Sequence, residues 1–91
     1  MTEYLHKEIH LDEKDIVEVR LKHRANVMLL DSANYGKYKS NQNFHYFGGY
    51  AITSPIRIPA PHSGVWHVVL DLGGESGTIE YSVTVIKHKD I

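Results

Sequence analysis

Hydrophobic and polar residues alternate along most of this 91-residue chain, and the alternation has a period of two. It is clearest over residues 65–72, where Trp66, Val68 and Leu70 fall on one face and His67 falls on the other. Successive side chains of a β-strand point to opposite faces of the sheet, so the pattern predicts a half-buried strand. Runs of the same kind occupy residues 4–11, 15–22, 25–31, 44–53, 54–60 and 78–86.

Strands of this length, separated by short turns, predict an all-β domain built as a sandwich of two sheets. We expect about seven or eight strands in a jelly-roll-like or immunoglobulin-like arrangement, with the strand order left open. The unbroken apolar run at residues 27–30 indicates a strand that is covered on both faces. Prolines in residues 54–60 and charges in residues 4–11 suit sheet edges. The predicted core comprises Val17, Val19, Leu21, Val27, Leu29, Trp66, Val68, Leu70, Val83 and Val85.

Residues 31–43 interrupt the strand pattern. They are rich in Asp, Ser, Asn and Gly and have no core periodicity, which predicts a long loop with room for one helical turn. A longer helix would lack an apolar face to bury. The pair Gly48 and Gly49 falls inside the next strand segment and indicates a bulge or a position where a ligand or a neighbouring chain approaches the backbone closely.

Composition narrows the class of protein. A chain of 91 residues, 42% hydrophobic and 23% charged, is typical of one globular domain over residues 1–91, with little interior left for an enclosed active site. The net charge is −1 and the basic residues are dispersed, so no nucleic-acid partner is expected. Neither a long apolar run nor a secretory leader is present, which favours a cytoplasmic protein without membrane contact. The chain has no cysteine, which excludes disulfides and thiolate chemistry, and we expect no cofactor.

Four ordered motifs carry a resemblance to a known family. They are residues 31–35 (DSANY), 46–49 (YFGG), 54–57 (SPIR) and 61–74 (PHSGVWHVVLDLGG). Through their combination the chain resembles the small bacterial domain-of-unknown-function family 1883 over nearly its whole length. The resemblance implies a compact β-sandwich that also occurs joined to Toll/interleukin-receptor-like domains, and a sensing or adaptor role. It implies no established substrate, cofactor or catalytic residue.

Tyrosine and asparagine residues gather in and after the long loop, and they form the predicted binding site. Tyr combines a flat apolar ring with a hydrogen-bonding tip, and Asn offers both a donor and an acceptor, the mixture that ligand and partner surfaces use. Lysines in the same region would also suit an anionic ligand. The alternative is that the tyrosines only fasten the loop to the sheet. The predicted site residues are Asn34, Tyr35, Tyr38, Tyr46, Tyr50 and, from a later turn, His62.

Catalytic and metal-binding patterns are weak. His62 and Ser63 are neighbours in a turn, which rarely aims a ring at the adjacent hydroxyl, and His67 and Asp71 stand about 13 Å apart along a strand. His6, Glu8 and His10 alternate on one strand face, as on a solvated face, and match no compact metal motif. We therefore predict neither catalytic nor metal-ligating residues.

The function that the sequence favours is a non-catalytic binding or sensing module. It would recognise a polar small molecule or a protein partner through residues 31–50. A structural, self-associating domain is one alternative, and a hydrolase dependent on His62 is another. The sequence does not identify the ligand, the oligomeric state or the pathway.

Overall fold

Two antiparallel sheets make up the computed structural model, which describes residues 4–22, 24–51, 54–71 and 80–88. In chain order the described elements are β1 (Tyr4–Leu11), β2 (Ile16–Leu21), β3 (Ala25–Asp31), α1 (Ser32–Lys39), β4 (Phe47–Ala51), β5 (Ile56–Pro59), β6 (Gly64–Asp71) and β7 (Tyr81–Ile86). The first sheet has the order β1-β6-β3-β4 and the second has the order β5-β2-β7. The predicted two-sheet, all-β sandwich is confirmed, with seven strands among the described residues.

The core lies between the two sheets and follows the period-two pattern. Seven of the ten predicted core residues are buried: Val17, Val19, Val27, Leu29, Trp66, Val68 and Leu70. The other three, Leu21, Val83 and Val85, pack against this cluster but are only partly buried. Their position explains the difference, because Leu21 ends β2 and both valines lie on β7, which has one neighbour among the described strands.

The two central strands of the first sheet, β3 and β6, are buried on the outer face as well. Val27 and Leu29 of β3 face the other sheet, whereas Met28 and Leu30 join a second cluster with Val69. Helix α1 covers this cluster through Tyr35. The prediction that residues 27–30 form a strand covered on both faces is therefore confirmed.

Helix α1 corrects the prediction of a loop with one helical turn. Asp31 caps the helix, since its Oδ1 accepts a hydrogen bond from the backbone N–H of Asn34 at 2.8 Å. At the other end Asn41 has a left-handed φ of 60° and Lys37 and Lys39 lie near the negative end of the helix dipole. The helix buries aromatic rather than aliphatic side chains, so the sequence of residues 31–43 shows no regular apolar face.

Boundaries in the second half of the chain also differ from the prediction. Strands β4 and β5 are shorter than the predicted segments 44–53 and 54–60. Phe44 packs beside α1 and the His45 N–H donates to Asn34, so the chain is held to the helix before it enters β4. Residues 73–77, between the predicted strand segments 65–72 and 78–86, and the start of the last predicted strand lie outside the described residues. No helix among the described residues is long and apolar enough to cross a membrane.

A buried carboxylate fastens the end of the chain to the sandwich. Asp15 is almost completely buried, and its Oδ2 accepts from Lys87 Nζ at 2.8 Å and from the Asp12 N–H at 2.9 Å. Its Oδ1 accepts from the His88 N–H at 2.8 Å. The hydrogen bond from Lys87, followed by the two backbone donors, lowers the pKa of Asp15 to about 2. The carboxylate is therefore ionised and fully partnered at neutral pH.

Gly48 confirms the predicted close approach of two backbones. Its φ is +119°, and a Cβ built on it would lie 2.1 Å from the carbonyl oxygen of Val27 on the paired strand β3. No side chain fits there without a backbone shift. The space beside Gly48 is thus filled by this chain's own backbone.

Replacement of Trp66 with Ala should lower the free energy of unfolding by about 3–5 kcal/mol. The ring is only 1% exposed, and its Nε1 donates to the carbonyl of His62 at 3.0 Å, so both packing and a hydrogen bond are lost. Equilibrium urea denaturation measures the change. A loss below about 1 kcal/mol would contradict the position of Trp66 at the centre of the core.

The two glycines Gly48 and Gly36 should respond in opposite directions to replacement with Ala. Gly48→Ala forces a Cβ against the Val27 carbonyl and should destabilise by about 1–3 kcal/mol. Gly36 lies within α1, where a Cβ meets nothing within 4 Å, so Gly36→Ala should stabilise by about 0.5–1 kcal/mol. Urea denaturation of both variants decides the matter, and effects of the same sign would contradict this account of Gly48.

Candidate functional site

An open cleft of about 420 Å³ lies at one end of the first sheet. It is bounded by the start of α1, the segment that leads into β4 and the turn before β6. Its floor is apolar and its walls carry rings and a few polar groups. The residues that line it are Leu29, Asp31, Asn34, His45, Tyr46, Phe47, His62 and Trp66.

One polar wall of the cleft is held by a short series of hydrogen bonds. Asp31 Oδ1 accepts from both the backbone N–H and the side-chain Nδ2 of Asn34, at 2.8 and 3.0 Å. Asn34 Oδ1 in turn accepts from the backbone N–H of His45 at 2.9 Å. Both bonds to the Asp31 carboxylate end on Oδ1, and no donor to Oδ2 occurs among the described residues. Asp31 therefore presents a hydrogen-bond acceptor to an occupant of the cleft.

The other walls of the cleft are aromatic. Trp66 forms the floor, with the His62 ring at 4.8 Å and the Phe47 ring at 6.1 Å between centroids. Tyr46 and Phe47 keep 45% and 48% of their surface exposed. Neighbouring aromatic rings that remain in water mark a surface able to stack against a ligand or partner.

The tautomer of His62 follows from its hydrogen bond. His62 Nδ1 lies 3.1 Å from the carbonyl oxygen of Ser63, and a carbonyl only accepts, so Nδ1 carries the proton. The Nε2 of the neutral ring is then an acceptor. The Ser63 hydroxyl accepts from the Glu13 N–H at 3.0 Å. The ring of His62 thus faces the carbonyl of its neighbour and not the hydroxyl that a hydrolase would need it to activate.

The charge of the cleft is negative. Asp31 is the one formally charged side chain among the described residues that line it. The lysines expected to favour an anion lie at the far end of α1, and Lys39 Nζ is 4.8 Å above the ring of Tyr35. The cleft therefore suits a neutral or cationic ligand better than an anionic one.

The structure divides the predicted site residues into three groups. Asn34, Tyr46 and His62 come together in the cleft. Tyr35 and Tyr38 lie under α1 on the outer face of the first sheet, and Tyr50, 62% exposed on β4, is not among the residues that line the cleft.

The two tyrosines of α1 have local partners. Burial raises the pKa of Tyr35 to about 12. Tyr38 donates to Asp71 Oδ2 at 2.6 Å, and burial together with this bond raises its pKa further still. Both tyrosines thus fasten the helix to the sheet.

A second group of polar residues surrounds Tyr35. Ser32 Oγ is 3.0 Å from His67 Nε2, and His67 Nδ1 is 2.8 Å from His6 Nε2. The Tyr35 ring stacks on both imidazoles, with centroid distances of 4.2 Å to His6 and 4.4 Å to His67. Burial lowers the pKa of both histidines below the ordinary value of 6.5, because it disfavours the charged imidazolium.

The sequence pattern does not indicate several of these residues. Phe47 and His45 lie in the segment that it placed within one strand, and only the shorter β4 brings their side chains to the cleft mouth. Ser32 is 35 residues from His67 and meets it only because α1 folds over β6. The Asp31–Asn34 spacing, typical of a capped helix start, was the signal that could have located α1.

The alternating His6, Glu8 and His10 of β1 form no metal-binding group in the described part of the chain. His6 is bonded to His67, and no group of three or more His, Asp or Glu side chains suited to a metal ion occurs in the described part of the chain.

Comparison with known proteins identifies a family. The family described as "Domain of unknown function (DUF1883)" matches residues 2–89 of the chain. No curated protein and no solved structure matches it.

The His6–His67 pair should make the protein less stable in weak acid. The pKa of each histidine is lower in the folded protein than in the unfolded chain. The unfolded chain therefore takes up protons first as the pH falls below about 6.5. Their contribution to stability is fully present above that pH and is lost as the pH drops through the folded-state values. Urea denaturation between pH 8 and pH 5 measures it.

His67→Gln should flatten this pH dependence, whereas His10→Gln, at an exposed position of the same sheet, serves as the matched control. An unchanged slope in the His67 variant would contradict the assignment of the effect to this pair.

Proposed function

The chain belongs to the DUF1883 family of domains of unknown function, and we propose that its cleft is a non-catalytic binding site for a neutral, polyhydroxylated ring such as a sugar. The observation that carries the proposal is the cleft, which combines exposed aromatic rings with hydrogen-bond acceptors and contains no cation among its described lining residues.

The size of the cleft suits a small molecule. Its volume of about 420 Å³ falls within the range of roughly 300–1,000 Å³ typical of small-molecule sites. A small number of polar groups in a mostly aromatic and aliphatic lining is also typical of such sites. Leu29 and Trp66 at its base are held rigid by the core, so the floor of the cleft is formed before any ligand arrives.

Aromatic rings supply the surface for stacking. The Tyr46 and Phe47 side chains follow each other along the chain and are about half exposed, and the His62 ring lies against Trp66. Flat rings of this kind pack well against the C–H face of a saturated ring, while the Tyr hydroxyl reaches its polar edge. A ligand with one apolar face and several hydroxyls matches this arrangement.

The polar atoms favour a ligand that donates hydrogen bonds. Asp31 Oδ2 and His62 Nε2 are acceptors, so the ligand must supply O–H or N–H groups. The carboxylate of Asp31 repels phosphate and other anions, which disfavours a nucleotide. Hydroxyl groups on a neutral ring meet both requirements.

The state of the polar groups supports binding without reaction. The Ser63 hydroxyl is engaged by Glu13, and the His62 Nδ1 proton goes to a carbonyl. No nucleophile with a base in reach occurs among the described residues that line the cleft. Asp31 also caps α1, so contacts made by a ligand act directly on the helix, as a sensing module requires.

The proposal predicts that neutral mono- or disaccharides stabilise the protein in a thermal-shift screen and that nucleotides do not. A ligand at 100 times its dissociation constant should add about 2.7 kcal/mol to the free energy of unfolding. Tyr46→Ala and Phe47→Ala should weaken the binding of any hit. Asp31→Asn keeps the helix cap but removes the Oδ2 acceptor, and should weaken binding about tenfold or more.

Tyr50→Ala is the matched control, because it removes an exposed tyrosine of the same sheet outside the cleft. Equal binding by the Tyr46, Phe47 and Tyr50 variants would refute the cleft as the site. Light scattering over a concentration series runs beside the screen. A stable dimer that covers Tyr46 and Phe47 would instead make the aromatic wall a contact between copies of the chain.

A further inference from the structure

The hydrogen-bonded group Ser32–His67–His6 lies on the outer face of the first sheet, apart from the residues proposed to contact a ligand. We propose that the Ser32 hydroxyl is a nucleophile that accepts an acyl group from an activated ester, with His67 as its base. The proposal does not depend on the function of the cleft, since none of these three residues lines it.

The first requirement for a reactive serine is a base within hydrogen-bond reach. Ser32 Oγ and His67 Nε2 are 3.0 Å apart, inside the range of about 2.6–3.2 Å that links nucleophile and base in such sites. The residues come from two elements: Ser32 opens α1 and His67 lies in the middle of β6. Because both elements are packed against the core, the distance is fixed by the fold.

The second requirement is a group that orients the base. His67 Nδ1 is 2.8 Å from His6 Nε2 on the neighbouring strand β1. In the reactive tautomer Nδ1–H donates to His6, which leaves Nε2 of His67 with a lone pair that accepts the Ser32 proton. Tyr35, stacked on both imidazoles, restrains the rings further. His6 is thus a positioning residue.

Exposure differs between the two reacting residues in the way that the reaction needs. The His67 ring is only 6% exposed, whereas Ser32 is exposed. An ester can therefore reach Oγ while the base stays shielded. Ser63, also exposed and next to a histidine in sequence, lacks this arrangement because His62 turns its Nδ1 to the backbone.

The reaction step is an acyl transfer. Ser32 Oγ forms a bond to the ester carbonyl carbon as its proton passes to His67 Nε2. The bond from that carbon to the leaving oxygen then breaks, the leaving group takes the proton from His67, and an acyl-serine and an alcohol or phenol result. Glu8 Oε1, 4.0 Å from His67 Nε2, stabilises the transient imidazolium.

The charged and titratable groups around His67 predict how the reaction depends on pH. Glu8 and His6 face the ring from β1, Lys39 lies over Tyr35 on α1, and Asp31 precedes the helix. Burial is the largest influence and keeps His67 in its basic, neutral form at pH 7. Acylation should therefore decline as the pH falls and His67 becomes protonated.

The experiment exposes the full chain to p-nitrophenyl acetate and locates acetyl groups by peptide mass spectrometry. We expect Ser32 to be acetylated and Ser63, the internal control, to remain unmodified. His67→Gln should reduce the rate of Ser32 acetylation about 100-fold or more, the contribution expected of a general base. His6→Gln removes a group that lowers the pKa of His67, so it should move the pH midpoint of acetylation upward.

Circular dichroism checks that each variant is folded. If His67→Gln does not fold, the unsubstituted protein still tests the reactivity of Ser32. The measurements are then the ratio of Ser32 to Ser63 acetylation and the pH profile of Ser32 acetylation. Acetylation of Ser32 no faster than that of Ser63, or a rate unchanged in folded His67→Gln, would overturn the proposal. Sugar binding at the cleft is measured separately, so the failure of one proposal is distinguishable from the failure of the other.

Discussion

The burial of the two central strands of the first sheet, β3 and β6, on both faces is the constraint on which the rest of this structure depends. Strand β6 sends Trp66 and Val68 into the space between the sheets and His67 and Val69 to the opposite side, under α1. The alternation of side chains along β6 therefore places Trp66, at the floor of the cleft, and His67, the proposed base for Ser32, at successive positions of one strand. A shift of register by one residue would exchange these side chains between the two faces and disrupt both sites together.

Much of the fold could be predicted because it rests on a simple periodicity. The alternation around Trp66 and the apolar run at residues 27–30 each reflect a strand's fixed relation between sequence and face, so the sandwich and most of the core followed from them. Helix α1 did not follow, because its stability comes from the Asp31 cap and from Tyr35 against the sheet. Neither contact requires aliphatic residues at helical spacing, so neither produces a recognisable pattern in the sequence.

The residues that line the candidate cleft could be predicted only in part, for a related reason. Asn34 and Tyr35 are adjacent in sequence and both belong to the expected Tyr and Asn cluster. In a helix, adjacent residues are rotated by about 100°, so Asn34 reaches the cleft while Tyr35 turns to the sheet. Residues that cluster in the sequence therefore lie in two separate groups in the structure, one at the cleft and one on the outer face of the first sheet. The residues that complete each group, Phe47 in one and His67 in the other, come from strands whose side-chain directions no local pattern reveals.

The His6–His67 pair is predicted to lower the stability of the protein in acid, and packing alone does not explain its presence. His67 is buried on the outer face of β6 beside the Tyr35 ring, where an aliphatic side chain would cause no loss of stability in acid. Two neutral imidazoles joined at 2.8 Å and stacked on one tyrosine are instead held in a defined orientation toward an exposed hydroxyl. Buried titratable groups with shifted pKa values beside an accessible nucleophile are characteristic of chemically active sites. The predicted loss of stability in acid, together with the Ser32–His67 distance of 3.0 Å, is the physical reason to look for chemistry at Ser32.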